Sequence, residues 1–361
     1  MRAIIWDGSV YPAGLSYDNF ETPQPAENWV QFYTNACGIC GSDMHALTGR
    51  TRHLMPDYNF PAVLGHENAG VVTKLGKGVS GFAIGDRVAV EPLHGCIDFG
   101  GSCMMCRSGK YQLCAEGLNV VGMPNKDMLP GGYGEYSCAH KSHVFKIPEK
   151  LSFPEAAITD VLAVVVHAAN IGAPQAGMKV VILGAGVIGL DLLQVLHTRG
   201  VSGILVVARY DFQVRKAMEL GATEAILSSG DVMAAVNKFT GNMGADQVYE
   251  CVGGNSDTIG LALDLTAIAG KIIVIGCATK YVNFDIQSLL FKEVQLLPAN
   301  SYSLFNGLSE FAVALELLEH GLVDHKTLIT CEFDPADFTE AFNNMINKVP
   351  NETIKLVFVR N

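Results

Sequence analysis

Hydrophobic and polar positions change rhythm along this chain. From residue 1 to about 150, short alternating runs such as VVTKLG and DRVAVEPL stand between Gly, Pro and Asp residues. Period-two alternation broken by turn formers predicts half-buried strands of a mostly antiparallel β domain. From about 178 the runs become short, apolar and β-branched: KVVIL, GILVVA, DQVYECV and KIIVIG, each followed by a helical segment. That order predicts βαβ units and a parallel, doubly wound sheet. Beyond about 298 the alternation stops; GLSEFAVALELLEHG reads as a helix, and IKLVFV as a strand packing back on the first domain. The expected α/β chain has a mostly-β catalytic domain over 1–152 and 298–361 and a nucleotide-binding domain over 153–297, with the hinge near 150–170.

Composition narrows the function classes. With 361 residues, 49% hydrophobic and 17% charged, the chain buries a large core. A net charge of -11 without any basic block excludes the electrostatic footprint of a nucleic-acid binder. The opening MRAIIWDGSV carries no basic n-region or cleavage site, so a cytoplasmic protein is expected. The run VVILGAGVIGLDLLQVL is apolar enough to resemble a membrane span, but its glycines and Asp191 favour a buried strand, turn and helix. In a reducing compartment, the clustered ones among the ten cysteines are better read as metal ligands or redox groups than as disulfides, and the scattered Cys138, Cys251, Cys277 and Cys331 as small packed hydrophobes.

The hexapeptide GAGVIG (Gly184, Ala185, Gly186, Val187, Ile188, Gly189) lies between KVVIL and the helical LDLLQVL. There it fits GxGxxG: a tight turn, close backbone approach to a pyrophosphate, and a helix N-terminus offering amide donors. About twenty residues on, where an NAD site presents an acid to the ribose, Ala208, Arg209 and Tyr210 stand instead. A guanidinium suits a 2′-phosphate, so NADP is favoured over NAD; the alternative gives the ribose to Asp211 and leaves Arg209 solvated. Cys251 and Val252 after DQVYE, with Gly276 ending KIIVIG, are expected at the carboxyl edge of the sheet, where ligands bind.

Chemistry concentrates in the first domain. Cys37 and Cys40 form a CxxC that could be a redox pair, but GHE supplies His66, and thiolate with imidazole is a zinc combination. The ordered set GICGSDMH, PAVLGHENAGVV, GDRVAVEP, GGYGEY, VFKIPEKLSFPEAA and GAGVIG resembles the zinc-dependent medium-chain dehydrogenases and reductases, in their alcohol, polyol and threonine dehydrogenase branch. The resemblance covers nearly the whole chain and implies a GroES-like catalytic domain beside a Rossmann domain. It makes Cys40 the catalytic zinc ligand, leaves Cys37 as a small buried residue, and joins His66 and Asp160 to Cys40. Thr159 and Asp160 also precede an apolar run and could instead cap a helix. Glu67 matches the residue that can exchange onto the metal, and Asp43 is placed to fix the tautomer of His66. The implied reaction is hydride transfer between an alcohol and nicotinamide, with zinc polarising the substrate oxygen, Ser42 taking the proton and His45 relaying it.

Cys103, Cys106 and Cys114 have the spacing of the structural zinc lobe of that family, but Gly100 stands where its first ligand belongs. Deleting IDFG from HGCIDFGGSCMMC restores the spacing with Cys96 as first ligand, so a four-residue insertion is inferred. The alternatives are a zinc-free lobe or three thiolates completed by Asp98. The leading expectation is a zinc-dependent, NAD(P)-linked oxidoreductase interconverting a small secondary alcohol or polyol and its ketone. An aldehyde- or primary-alcohol-active relative and a non-catalytic zinc and nucleotide sensor are the other readings. Relatives are dimers or tetramers, which implies a homo-oligomer without nucleic-acid or membrane partners. Arg50, Arg52 and His53 are candidates for a polar or anionic substrate.

Overall fold

The computed structural model describes residues 1–51, 59–124, 129–254 and 256–360; Arg52 and His53 lie outside them. Strands arise where apolar residues alternate or run together. In the first part the main sheet takes β1 (Trp29–Gly38), β2 (Glu67–Leu75), β3 (Arg87–Val90), β4 (Tyr136–His140) and β5 (Val144–Lys146), beside the small antiparallel pairs Arg2–Trp6 with Leu15–Asn19 and Leu93–His94 with Asn119–Val120. In the second part β6 (Lys179–Leu183), β7 (Gly203–Ala208), β8 (Glu224–Leu227), β9 (Ala245–Glu250), β10 (Thr266–Val274) and β11 (Gln295–Pro298) follow. The chain then adds β12 (Ile329–Phe333) and β13 (Lys355–Val359).

The chain divides into two units, one of Met1–Asp160, Ser303–Glu319 and His325–Asn361, the other of Val161–Tyr302 and His320–Asp324. In the first, the sheet order is β12-β13-β1-β2-β3-β5, with β4 also paired to β1. Register decides what meets at one end of β1: Gly38 lies opposite Glu67 on β2 and opposite Val357 on β13. Two apolar clusters cover this sheet, one of Val30, Phe32, Val72, Val88, Val90, Ala139 and Val144, the other including Trp6, Ile39, Leu47, Tyr133, Phe342 and Phe358. A helix, α1 (Gly41–Leu47), leaves directly from the end of β1.

The second unit is the doubly wound sheet expected from the periodicity. Its six parallel strands run β8-β7-β6-β9-β10-β11, so the order reverses between β6 and β9, the place where such sheets bind ligands. Apolar residues of these strands, among them Val181, Leu205, Val248 and Ile272, are fully buried against helices. Between β5 and β6 the chain forms α2 (Thr159–Gly172), and after β6 it forms α3 (Val187–Thr198). The helix α4 (Asp211–Glu219) follows β7. No helix among the described residues is long and apolar enough to cross a membrane.

Candidate metal centre and nucleotide site

Cys40 is the N-cap of α1, and the cap is reciprocal: the Asp43 carboxylate accepts from Cys40 N at 3.0 Å. The same carboxylate accepts from Tyr133 Oη at 2.8 Å and faces His66 Nδ1 at 3.3 Å, with Asp43 wholly buried. A single side chain therefore seats the helix that carries Cys40 and orients the ring of His66. With Nδ1 turned to Asp43, Nε2 is the ring nitrogen left for a metal, and it lies 3.4 Å from Ser42 Oγ. Burial opposes a charge on His66, but Asp43 and Cys40 outweigh it and hold the imidazole pKa well above its ordinary value.

The ligand atoms of Cys40, His66 and Glu67 all lie within 4.8 Å of one another. Glu67 is fully buried and gripped by Lys355 Nζ at 2.6 and 2.5 Å, while Lys355 also donates to Ile39 O at 3.0 Å. Burial would strip the proton from Lys355; Glu67 keeps it charged. Gly38 makes room for this pair, since a Cβ there would stand 1.9 Å from Glu67 Oε2. Thr159 and Asp160 are the first two residues of α2 itself rather than its cap, and Asp160 is 8% exposed and not among the three converging residues. Cys37 is completely buried, and burial pushes its thiol far up, which suits packing and not redox chemistry. His45 is half-buried on the last turn of α1; burial, then Arg50 and Lys348, draw its pKa down.

A second donor group is wholly sulfur. Cys96, Cys103, Cys106 and Cys114 converge, with Sγ–Sγ separations of 3.7 Å (Cys96 to Cys106) and 3.9 Å (Cys103 to Cys114). Backbone amides point at the sulfurs: Cys96 N at Cys114, Cys103 N at Cys96, and Cys106 N at Cys103. Amide donors favour thiolate, and those of Cys106 and Ala115 bring the Cys103 thiol down to about 6. Both groups fit zinc by donor chemistry, the sulfur-only one as a closed shell and the mixed one with nitrogen and oxygen besides sulfur. Asp98 does not join the four thiols. Its carboxylate faces His143 Nε2 at 3.0 Å and His140 Nδ1 at 3.3 Å. Burial works against charge on His143, but Glu91 and Asp98 on either side carry it up to about 10. This cluster, with Tyr133 and Lys355, is what sequence reading misses; the only local signal is the insertion that carries Asp98.

In the second unit GAGVIG forms the turn from β6 to α3, with Gly186 as N-cap. Gly189 packs against that turn so closely that a Cβ would lie 1.9 Å from Gly184 O, whereas nothing stands within 4 Å of a Cβ at Gly186. The open side of the helix N-terminus fits a diphosphate. Ala208 closes β7 with no exposure; Arg209 is exposed, its guanidinium 5.3 Å from the Tyr210 ring centroid, and Asp211 is exposed as the first residue of α4. Cys251 and Val252 follow β9, where Glu250 accepts from Val252 N and Gly253 N, and Gly276 N donates to Glu250 O. Those residues therefore line one edge of the sheet together.

The family described as Alcohol dehydrogenase GroES-like domain matches residues 26–149, and the family Zinc-binding dehydrogenase matches residues 187–320. The sorbitol dehydrogenase of Bacillus subtilis (strain 168) is 30% identical, over 96% of this chain and 94% of that protein. The chain belongs to the zinc-dependent medium-chain dehydrogenases and reductases. Among solved structures, the short chain alcohol dehydrogenase rspB of Escherichia coli CFT073 in complex with NADH superposes with a TM-score of 0.87 at 27% identity, covering 100% of this chain and 99% of the other. The 2R,3R-butanediol dehydrogenase of Bacillus subtilis gives 0.84 at 26% identity, covering 100% and 99%. As a member of this family the protein is an oxidoreductase that uses zinc and a nicotinamide cofactor, on a GroES-like and Rossmann-type frame.

Proposed function

We propose that this dehydrogenase interconverts a polyol or other secondary alcohol and its ketone, using NADP in preference to NAD. The observation that carries the reading is the convergence of Cys40, His66 and Glu67 with Asp43 behind His66 Nδ1. Cys40, His66 and Asp160 are the resident ligands in this reading, and Glu67, tied to Lys355, is the carboxylate held in reserve. Bound there, zinc supplies the Lewis acidity that makes an alcohol proton easy to lose. Ser42 Oγ accepts that proton. His45, kept neutral by burial and by Arg50 and Lys348, takes it onward.

The sulfur-only lobe holds a second zinc that orders the chain without touching substrate. Gly184 to Gly189, Ala208, Arg209, Tyr210, Cys251, Val252 and Gly276 bind the cofactor. Arg209, exposed past the end of β7 where an acid would select NAD, supports the 2′-phosphate. All ten cysteines are free, which supports a reducing, cytoplasmic setting. The outer edge of β11 has no partner strand among the described residues; Leu296 in β11 is 41% exposed, and Leu290 and Phe291 of the helix just before it are 67% and 75% exposed. That edge supports a homo-oligomer, a second copy covering it.

The test is a panel of polyols, secondary alcohols and primary alcohols with each cofactor, on protein whose zinc has been measured. Secondary alcohols oxidised fastest with NADP, at about two zinc per chain, is the expected result. No turnover of any alcohol by the zinc-loaded protein, or turnover that survives Cys40→Ala, overturns the reading. Arg209→Ala is expected to weaken NADP by about tenfold or more and leave NAD unchanged, as cofactor titrations would register.

A further inference from the structure

The four-residue insertion between the first two lobe thiols does more than lengthen a loop. Its residues Ile97, Asp98 and Phe99 continue from Cys96 as a 3-10 turn that Gly100 ends in the left-handed region, and the chain then returns so that Gly101 N donates to Cys96 O. Two of the inserted side chains leave the lobe and reach the sheet. Phe99 packs on Trp29 at the start of β1, ring centroids 5.4 Å apart. Asp98, its side chain 3% exposed, meets the turn between β4 and β5, accepting from Ser142 Oγ at 3.4 Å beside its two contacts with His140 and His143.

The receiving surface is built to hold a carboxylate. His143 lies between two acids, Nε2 toward Asp98 and Nδ1 toward Glu91 Oε1 at 3.4 Å, and Glu91 N donates to His143 O. His94 Nε2 accepts from His140 N at 3.0 Å, so its proton is on Nδ1, which donates to Pro92 O; the ring stacks on Trp29. Tyr111, three residues before the last lobe thiol, makes a T-shaped ring contact with His143, centroids 5.2 Å apart. Glu91, Asp98, Tyr111, His140, His143 and Cys106 line one cavity of about 370 Å³. A carboxylate so deeply covered is tolerated only with its charge partner, so the insertion and the turn are locked to each other.

We propose that Asp98 is a positioning residue which tethers the thiolate lobe to the β4–β5 turn through His143, and so slows escape of the lobe's metal. The proposal rests on the reading that the lobe holds zinc. Geometry favours a strut over a ligand because Asp98 Oδ2 is committed to His143 Nε2 and Oδ1 to Ser142 Oγ, with His140 Nδ1 beside it. When a thiolate lets go of the metal, the neighbouring insertion remains anchored and keeps Cys96 close enough to rebind.

The experiment follows zinc release from the full-length protein into a chromogenic chelator, the lobe phase being the one that disappears in Cys103→Ser. Asp98→Asn and His143→Gln are each expected to speed that phase by about tenfold or more, and the double variant no further than the faster single one. Release within twofold of the parent in Asp98→Asn, or effects of the two changes that multiply, would overturn the tether. Should Asp98→Asn fail to fold, deletion of residues 97–100 keeps all four thiols at the shorter spacing, and it too must lose zinc faster. Hydrogen exchange over residues 94–101 and 140–146 separates the two claims. A parent protein without lobe zinc removes the metal reading, while faster exchange of both segments in Asp98→Asn upholds the tether and unchanged exchange refutes it.

Discussion

Single side chains here carry several duties, and Asp43 and Lys355 carry the most. Asp43 caps α1, receives the Tyr133 hydroxyl and orients His66. Lys355 neutralises Glu67 where both are buried away from bulk solvent. Lys355→Met is expected to cost about 3–5 kcal/mol in chemical denaturation, because it strands a buried carboxylate, with Lys355→Arg recovering much of the loss. Equal stability of the Met variant and the parent would mean that Glu67 is neutral or otherwise paired. Cys40 and His66 are legible in the sequence because their motifs are local. Tyr133 and Lys355 are not, since they meet Asp43 and Glu67 across 90 and 288 residues, distances that only strand register resolves.

At the scale of elements, the parallel strands were legible because each is a β-branched run followed by a helical segment, and β6 to α3 carries its own glycine signature. The short strands β8 (EAIL) and β11 (QLLP), with partly polar faces, have no such contrast and emerge only from pairing with β7 and β10. Gly189 tests the β6–α3 junction. Gly189→Ala must push α3 off Gly184 O, and should lower cofactor affinity by about tenfold or more and destabilise the unit by about 1–3 kcal/mol. Fluorescence titration with reduced cofactor measures the first and thermal unfolding the second; parental affinity would mean that the helix shifts without disturbing the site. The acid–histidine cluster of Glu91, His94, Asp98, His140 and His143 escaped sequence reading for a related reason. Its members come from three separate segments, and isolated histidines carry no periodic signal.

Over the whole molecule, one compositional fact and one topological fact stand out. The charge of -11 leaves the protein well solvated, yet exposed apolar side chains gather in the segment leading into β11, where Ile286, Leu290 and Phe291 of the helix Ile286–Lys292 are more than half exposed. Phe291→Glu combined with Leu296→Glu is expected to reduce the mass in light scattering to that of one chain; a parent already at 38.6 kDa would remove the oligomer from the proposal. The topological fact is that the first unit is assembled from distant stretches, with β13 inserted beside β1.

That insertion imposes a timetable. A ribosome producing 5–20 residues each second delivers the carboxylate of Glu67 long before the ammonium that answers it, and 288 positions amount to roughly 15–60 s of synthesis. Throughout that interval the nascent acid needs another cation or stays wet, so the pocket that will grip a metal cannot dry out until translation has nearly reached its last strand.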